Sequence, residues 1–256
     1  MQFAFVTANY VGRAMGYSGF TLAEWGVAER ATVEATDLAA FDAICADVAR
    51  AGFSGIEIWK AHAWPAVLTP ERADELLQAL QRHHLTPVSY AAGIGDDPEG
   101  VLRAARLLGV PIVAGGLFGA NGHEVARIAR RQSVRVALEN HPERDPQEVL
   151  DQIGDDDDVL GACVDTGWWL TQGYSPADAI RRLGRHVFHI HLKDIRAAGR
   201  HDTVQLGTGI MDLEDVLAAI REVGYAGPLG IEHEPEHYDP TAEVIAGREL
   251  VERLLA

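Results

Sequence analysis

Two cysteines and three methionines in 256 residues are few. Cys45 falls in a helical pattern and Cys163 in a strand pattern, so neither a disulfide framework nor a thiolate-rich zinc cluster is available, and both are expected to be reduced, buried thiols. Basic residues are also scarce: 22 against 38 acidic ones give a formal charge of −16. That balance opposes attraction to a polyanion and excludes nucleic acid as the expected partner. The densest basic stretches, "RIARRQSVR" and "AIRRLGRH", fit helix ends, where cations complement the helix dipole. No apolar run reaches the roughly 18 residues of a membrane span. The start, "MQFAFVTANY", lacks a basic region followed by a long apolar core, so no membrane association and a cytoplasmic location are expected. No linker-like or low-complexity stretch interrupts the chain, which predicts one domain over 1–256.

What is present is a rhythm. Short apolar runs alternate with amphipathic ones: "FAFVT", "GIEIW", "TPVSYAA", "VPIVAGG", "SVRVALEN", "VLGACVD", "HVFHIHLKD" and "GPLGIEHE" read as strands, each followed by a helical pattern. Several helices open on Asp-Pro, Ser-Pro or Thr-Pro and stop at Gly. Eight βα units predict the α/β class and a (β/α)₈ TIM barrel as a single domain. An open doubly wound sheet would want a glycine-rich turn after an early strand, and "FVTANYVGRAMGYSG" lacks that spacing. "LGTGIMD" is read as a turn, and the acidic run Asp155 to Asp158 as a solvated turn before a strand rather than a calcium loop.

In a barrel, polar residues at the C-terminal ends of strands carry function. Strand five ends with Glu139, strand six with Asp165, strand seven with His191 and strand eight with Glu232. Three carboxylates crowded at one mouth repel unless a cation joins them, so these four residues are expected to hold one divalent metal. One nitrogen and several oxygens suit Mn²⁺, with Mg²⁺, Co²⁺ and Zn²⁺ as alternatives.

The motifs "ALENH", "VDTG", "HIHLKD" and "GIEHE", in that order, resemble the sugar phosphate isomerase/epimerase group of the xylose-isomerase-like TIM barrels. The resemblance implies that Glu139, Asp165, His191 and Glu232 ligate the metal and that Glu139 and Glu232 act as catalytic base and acid. In keto-sugar epimerases of that group a histidine lies three residues after the strand-six aspartate, where this chain has Trp168. The departure leaves the sugar and the reaction type open, and it separates the chain from the related endonuclease IV group.

The chemistry implied is proton removal beside a carbonyl, with the resulting enediolate stabilised by the metal. Returning the proton gives epimerisation or aldose–ketose isomerisation of a small keto or aldo sugar. Expelling a β-substituent gives dehydration or lyase chemistry on a keto-inositol or 3-keto-sugar type substrate. A barrel that binds sugar without turnover is the third alternative. Substrate contacts are expected from Glu57, Trp59, His62, His141, Trp168 and Lys193, with His189 as a buried partner behind the metal. The long connection from Ala8 to Ala35 is expected to serve as a lid or as a subunit contact in a homo-oligomer.

Overall fold

The computed structural model describes residues 2–95 and 97–256. Eight parallel strands close into a barrel: β1 (Phe3–Val6), β2 (Gly55–Trp59), β3 (Thr86–Ala91), β4 (Ile112–Ala114), β5 (Arg135–Glu139), β6 (Leu160–Asp165), β7 (Val187–Leu192) and β10 (Leu229–Ile231). β10 pairs with β1 and β7 to complete the ring. A two-stranded antiparallel ribbon, β8 (Asp194–Ile195) with β9 (Thr203–Val204), projects from the mouth after β7.

The helices follow from local sequence. α3 (Pro70–Arg82) starts where the Thr69 side chain accepts from the Arg72 backbone N–H, and α6 (Pro146–Ile153) and α8 (Pro176–Leu183) start the same way on Asp145 and Ser175. In each, proline stands at the first helical position, where its missing N–H has no intrahelical partner to lose. α2 (Leu38–Arg50), α4 (Pro98–Leu107), α5 (Gly122–Gln132) and α9 (Leu213–Glu222) are likewise capped by Asp37, Asp97, Asn121 and Asp212. α10 (Thr241–Leu255) ends the chain. Their apolar stripes pack on the outside of the barrel in one continuous core. The sequence-based expectation of a single-domain TIM barrel is met in its architecture.

Two irregularities decide what the barrel presents inside. Between β6 and β7 the register slips so that Ala162 faces Val187 while Cys163 faces His189, leaving Phe188 as an extra residue. The bulge restores the alternation above it, so that His189 and His191 both point inward. The Ala8–Ala35 connection folds as short helical turns and α1 (Trp25–Ala35), and brings Leu22, Trp25 and Glu29 over the mouth. Trp25 packs edge-on against Trp59 at 5.9 Å. This placement is one a lid would take.

The expected "LGTGIMD" turn has a defined occupant. The Asp194 carboxylate accepts from the backbone N–H groups of Gly207, Gly209 and Met211 at 3.0, 2.9 and 3.1 Å. A side chain of the same molecule fills this ring of donors. The acidic run closes with cations from neighbouring elements: Asp156 and Asp158 pair with Arg130, and Asp157 with Arg185.

Candidate active site

The ends of β5, β6 and β7, and those of β1 and β10, are fastened to one another by side chains that clasp backbone. Asn140 donates to the Asp165 carbonyl at 3.0 Å and accepts from the Asp165 N–H at 2.8 Å, holding β5 to β6. Thr166 donates to the Lys193 carbonyl at 2.7 Å and accepts from the Lys193 N–H at 2.8 Å, holding β6 to β7. Asn9 does the same across the β1–β10 seam, with Ile231 and His233. These links explain why "ALENH" and "VDTG" carry polar residues beside their carboxylates.

Inside this frame the four strand-end residues meet. One donor atom from each of Glu139, Asp165, His191 and Glu232 lies within 4.8 Å of the others. The His191 Nδ1 stands 3.1 Å from Glu139 Oε1 and 3.1 Å from Glu232 Oε2. Asp165 uses Oδ1 to cap α7 (Thr166–Thr171), accepting from the Trp168 N–H at 2.9 Å, which leaves Oδ2 facing the cluster. Buried Asp165 Oδ2 and Glu232 Oε2 have no directed hydrogen bond. Lys193 Nζ lies at ion-pair distance from both, 3.0 and 3.3 Å, and donates to Glu234 at 2.9 Å.

One ammonium faces four carboxylates, so charge compensation is incomplete. Burial pushes the Asp165 carboxyl up to about 6 and Glu234 up to about 8, with Lys193 pulling both the other way. Glu232 goes down: burial opposes its charge, but Lys193 and His191 outweigh it. The same carboxylates hold the Lys193 ammonium well above its ordinary range against the effect of burial. A divalent cation fits such a place. The Asp165 and Glu232 oxygens lack directed donors, the acidic groups outnumber Lys193 and His191, and the donor set is one imidazole nitrogen and three carboxylates. Cys163 borders the cluster, but burial pushes its thiol up to about 12, which keeps it a neutral neighbour.

Beneath His191 lies a fully buried carboxylate. Glu57 accepts from His191 Nε2 at 2.8 Å, from His189 Nε2 at 2.5 Å and from Ser89 Oγ at 2.6 Å. Burial opposes its charge, yet His191 and His189 hold the Glu57 carboxyl well below the usual carboxylate range. The bond to Nε2 leaves Nδ1 of His191 as the nitrogen turned to the cluster.

The cluster floors a cavity of about 630 Å³. Of the residues expected to touch substrate, Trp59, His141, Trp168 and Lys193 line it. Glu57 does not: at 0% exposure, it sits under the His191 ring and is spent on three internal donors. His62 also lies behind the wall, its Nδ1 3.0 Å from Thr7 Oγ1, and burial lowers it to about 3. Both differ from the sugar contacts expected of them, because β2 turns Glu57 toward the barrel axis below the mouth and the turn after it folds His62 against Thr7. Glu234, His201, Trp25 and Phe118 line the cavity without having been singled out. Glu234 had a signal, two residues beyond Glu232 on the same alternation; the other three sit in connections where no periodicity marks them. Trp168 is held flat between His141 and His201, ring centroids 3.8 and 4.1 Å away.

Residues 117–254 match the model of the xylose isomerase-like TIM barrel family. An inosose isomerase of Halalkalibacterium halodurans is 24% identical over 234 residues, 75% of this chain and 82% of that protein. An inosose dehydratase of Clostridium botulinum is 23% identical over 151 residues, 50% of this chain and 51% of that one. The solved structure of the IOLI protein with a binding zinc atom superposes with a TM-score of 0.70 at 20% identity, covering 100% of this chain and 98% of its own. With a match across more than half of its length, the last four barrel strands included, the chain belongs to the xylose isomerase-like TIM barrel family.

Proposed function

We propose that the protein is a divalent-metal-dependent isomerase or epimerase of a small keto or aldo sugar, keto-cyclitols included, and that Glu139, Asp165, His191 and Glu232 hold the metal. The observation that carries this is the convergence of those four side chains, one from each of four successive strand ends, at the floor of an open cavity that Glu139, His191 and Glu232 line. Manganese is the metal proposed from the oxygen-rich donor set; the zinc of the IOLI structure makes zinc the first alternative. When bound, the cation supplies a Lewis acid for the negative charge that builds on neighbouring sugar oxygens.

The chain's own residues handle the proton. Glu139 and Glu232 flank His191 Nδ1, each at 3.1 Å, and both line the cavity. Glu139 removes the proton from the carbon beside the carbonyl, and Glu232, ionised at rest, takes up a proton from solvent in the cavity and delivers it from the other side, while Glu139 releases its own to solvent. Return to the opposite face of the same carbon epimerises the sugar; return to the adjacent carbon, with the hydroxyl proton passing between the two neighbouring oxygens, isomerises it. Glu57 fixes the His191 ring from below, and Trp168, held between two imidazoles, presents a rigid edge to the substrate.

A second reading is supported by Lys193. Its ammonium lines the cavity 3.3 Å from Glu232, where it can protonate a departing β-hydroxyl, so that the same proton abstraction ends in dehydration. The inosose dehydratase among the relatives is consistent with this outcome. Incubation of the metal-loaded enzyme with ketohexoses and inososes in D₂O, followed by NMR, tests both. Deuterium in recovered or isomerised sugar supports the first reading, and loss of water supports the second. No exchange with any of them would leave a sugar-binding barrel without turnover.

A further inference from the structure

We propose that the β1–β4 half of the cavity is a second compartment that takes an uncharged flat or apolar substituent, so that the substrate is a neutral keto sugar carrying such a substituent and not a sugar phosphate. This rests on the reading of the β5–β10 half as the sugar site.

The two halves differ chemically. Glu139, His191, Lys193, Glu232 and Glu234 all lie on the β5–β10 side. The other half is floored by Ala91, Ala92, Gly93, Ala114 and Gly115 and walled by Leu22, Trp25, Trp59 and Phe118, and its two charged residues, Glu29 and Lys60, compensate each other in an ion pair. The floor is kept low by close backbone approach. A Cβ on Gly115 would come 2.2 Å from the Ala92 carbonyl oxygen, and one on Gly93 would come 2.6 Å from the Phe118 ring. A larger side chain at Gly115 would have to move the strand ends, and one at Gly93 would have to displace the Phe118 ring. At the rim Leu22 is 48% and Phe118 57% exposed, apolar surface left uncovered beside a cavity.

The volume is too large for one sugar ring. Even at the roughly 30 Å³ that a non-hydrogen atom takes in liquid water, the twelve of a hexose fill about 360 Å³. The cavity offers about 630 Å³.

Charge excludes a phosphate as the occupant of the remainder. Among the described lining residues the two lysines are both engaged, Lys60 with Glu29 at 3.1 Å and Lys193 with three carboxylates, and no arginine is present. TIM barrels that bind phosphate commonly do so on backbone N–H groups of the loops after the last two strands. Here the corresponding donors, on Gly207, Gly209 and Met211, are taken by the Asp194 carboxylate. A phosphate would have to displace an internal carboxylate or sit among Glu139, Glu232 and Glu234.

The test is a comparison of affinities by saturation-transfer NMR and calorimetry on the metal-loaded protein, with methyl β-D-glucopyranoside, phenyl β-D-glucopyranoside and D-glucose 6-phosphate as probes. The phenyl glycoside should bind about tenfold or more tighter than the methyl one, as expected for burying one aromatic ring. The sugar phosphate should bind no tighter than the methyl glycoside. Phe118→Ala and Leu22→Ser, both at exposed positions, should shrink the phenyl preference to less than about threefold. Equal binding of the two glycosides, tighter binding of the phosphate, no glycoside binding, or a preference that survives both substitutions would overturn the proposal. Glu139→Gln separates it from the reading it rests on: lost deuterium exchange into ketohexoses and inososes, with an intact phenyl preference among the glycosides, is the expected pair of results. Wild-type protein that prefers the phenyl glycoside yet exchanges no deuterium into any ketohexose or inosose would leave this compartment standing and sink the proton-transfer chemistry alone.

Discussion

Replacing Glu57 by glutamine should weaken metal binding at a distance from every ligand atom. The wild-type carboxylate accepts from three donors at full burial: His191 at 2.8 Å, His189 at 2.5 Å and Ser89 at 2.6 Å. Glutamine keeps one acceptor oxygen and turns an amide NH₂ toward groups that are themselves donors. At least one histidine N–H is then left unpaired where no water reaches, at a cost of about 1–3 kcal/mol in stability. The effect on the metal is separate. Without the carboxylate on Nε2, His191 is no longer fixed with Nδ1 toward Glu139 and Glu232, and loss of such an outer partner typically lowers affinity 10–100-fold. That corresponds to about 1.4–2.7 kcal/mol. Zinc titration in competition with a chromophoric chelator, at one pH, measures it, and the visible spectrum of the cobalt-loaded protein reports the ligand geometry independently. Ser89→Ala, which removes one donor and leaves the carboxylate, should change affinity by less than about threefold. Zinc affinity of a folded Glu57→Gln protein within twofold of wild type would refute the reasoning.

Glu139→Gln should lower turnover by about 10²–10⁴-fold, the usual share of a general base, with circular dichroism unchanged, as steady-state kinetics on the identified substrate will show. Lys193→Met leaves Asp165, Glu232 and Glu234 facing one another in a buried space and should destabilise the metal-free protein by about 3–5 kcal/mol, with excess divalent cation restoring part of it; calorimetry with chelator and with metal tests both. His62 carries a pH dependence away from the cluster. Its folded pKa is lowered to about 3 by burial from an ordinary 6.5, so the unfolded chain binds the extra proton between those values. The stabilisation is full above pH 6.5 and falls as pH drops, by about 2 kcal/mol at pH 5. Urea unfolding at pH 7 and 5 should show that loss in wild type and a smaller one in His62→Gln.

The barrel was legible because each strand–helix unit repeats its own signals. Thr69, Asp97, Asp145 and Ser175 stand one residue before a helical proline, and apolar runs stand between those caps. The four cluster residues were legible for a related reason: Glu139, Asp165 and Glu232 are each the first acidic side chain to end an apolar run, His191 is the last imidazole of its strand, and a parallel barrel gathers run ends at one mouth. Glu57 was misread because alternation gives direction without depth; facing inward is equally consistent with touching a sugar and with supporting His191 from below. His62 fell to a turn, where no period predicts which way a ring points. His201, Phe118 and the lid residues reach the cavity through loop conformation, and only the length of the Ala8–Ala35 connection signalled a purpose.

The central claim is that one cation joins Glu139, Asp165, His191 and Glu232. A crystal structure of the protein prepared with manganese or zinc, with anomalous scattering collected at the metal edge, tests it most directly. The account predicts a single peak bound by His191 Nδ1 and an oxygen of each carboxylate at about 2.0–2.2 Å, with Glu57 still on Nε2. A peak at some other cluster, such as the Glu57–His189–His191 group, or no peak at saturating metal, would contradict it.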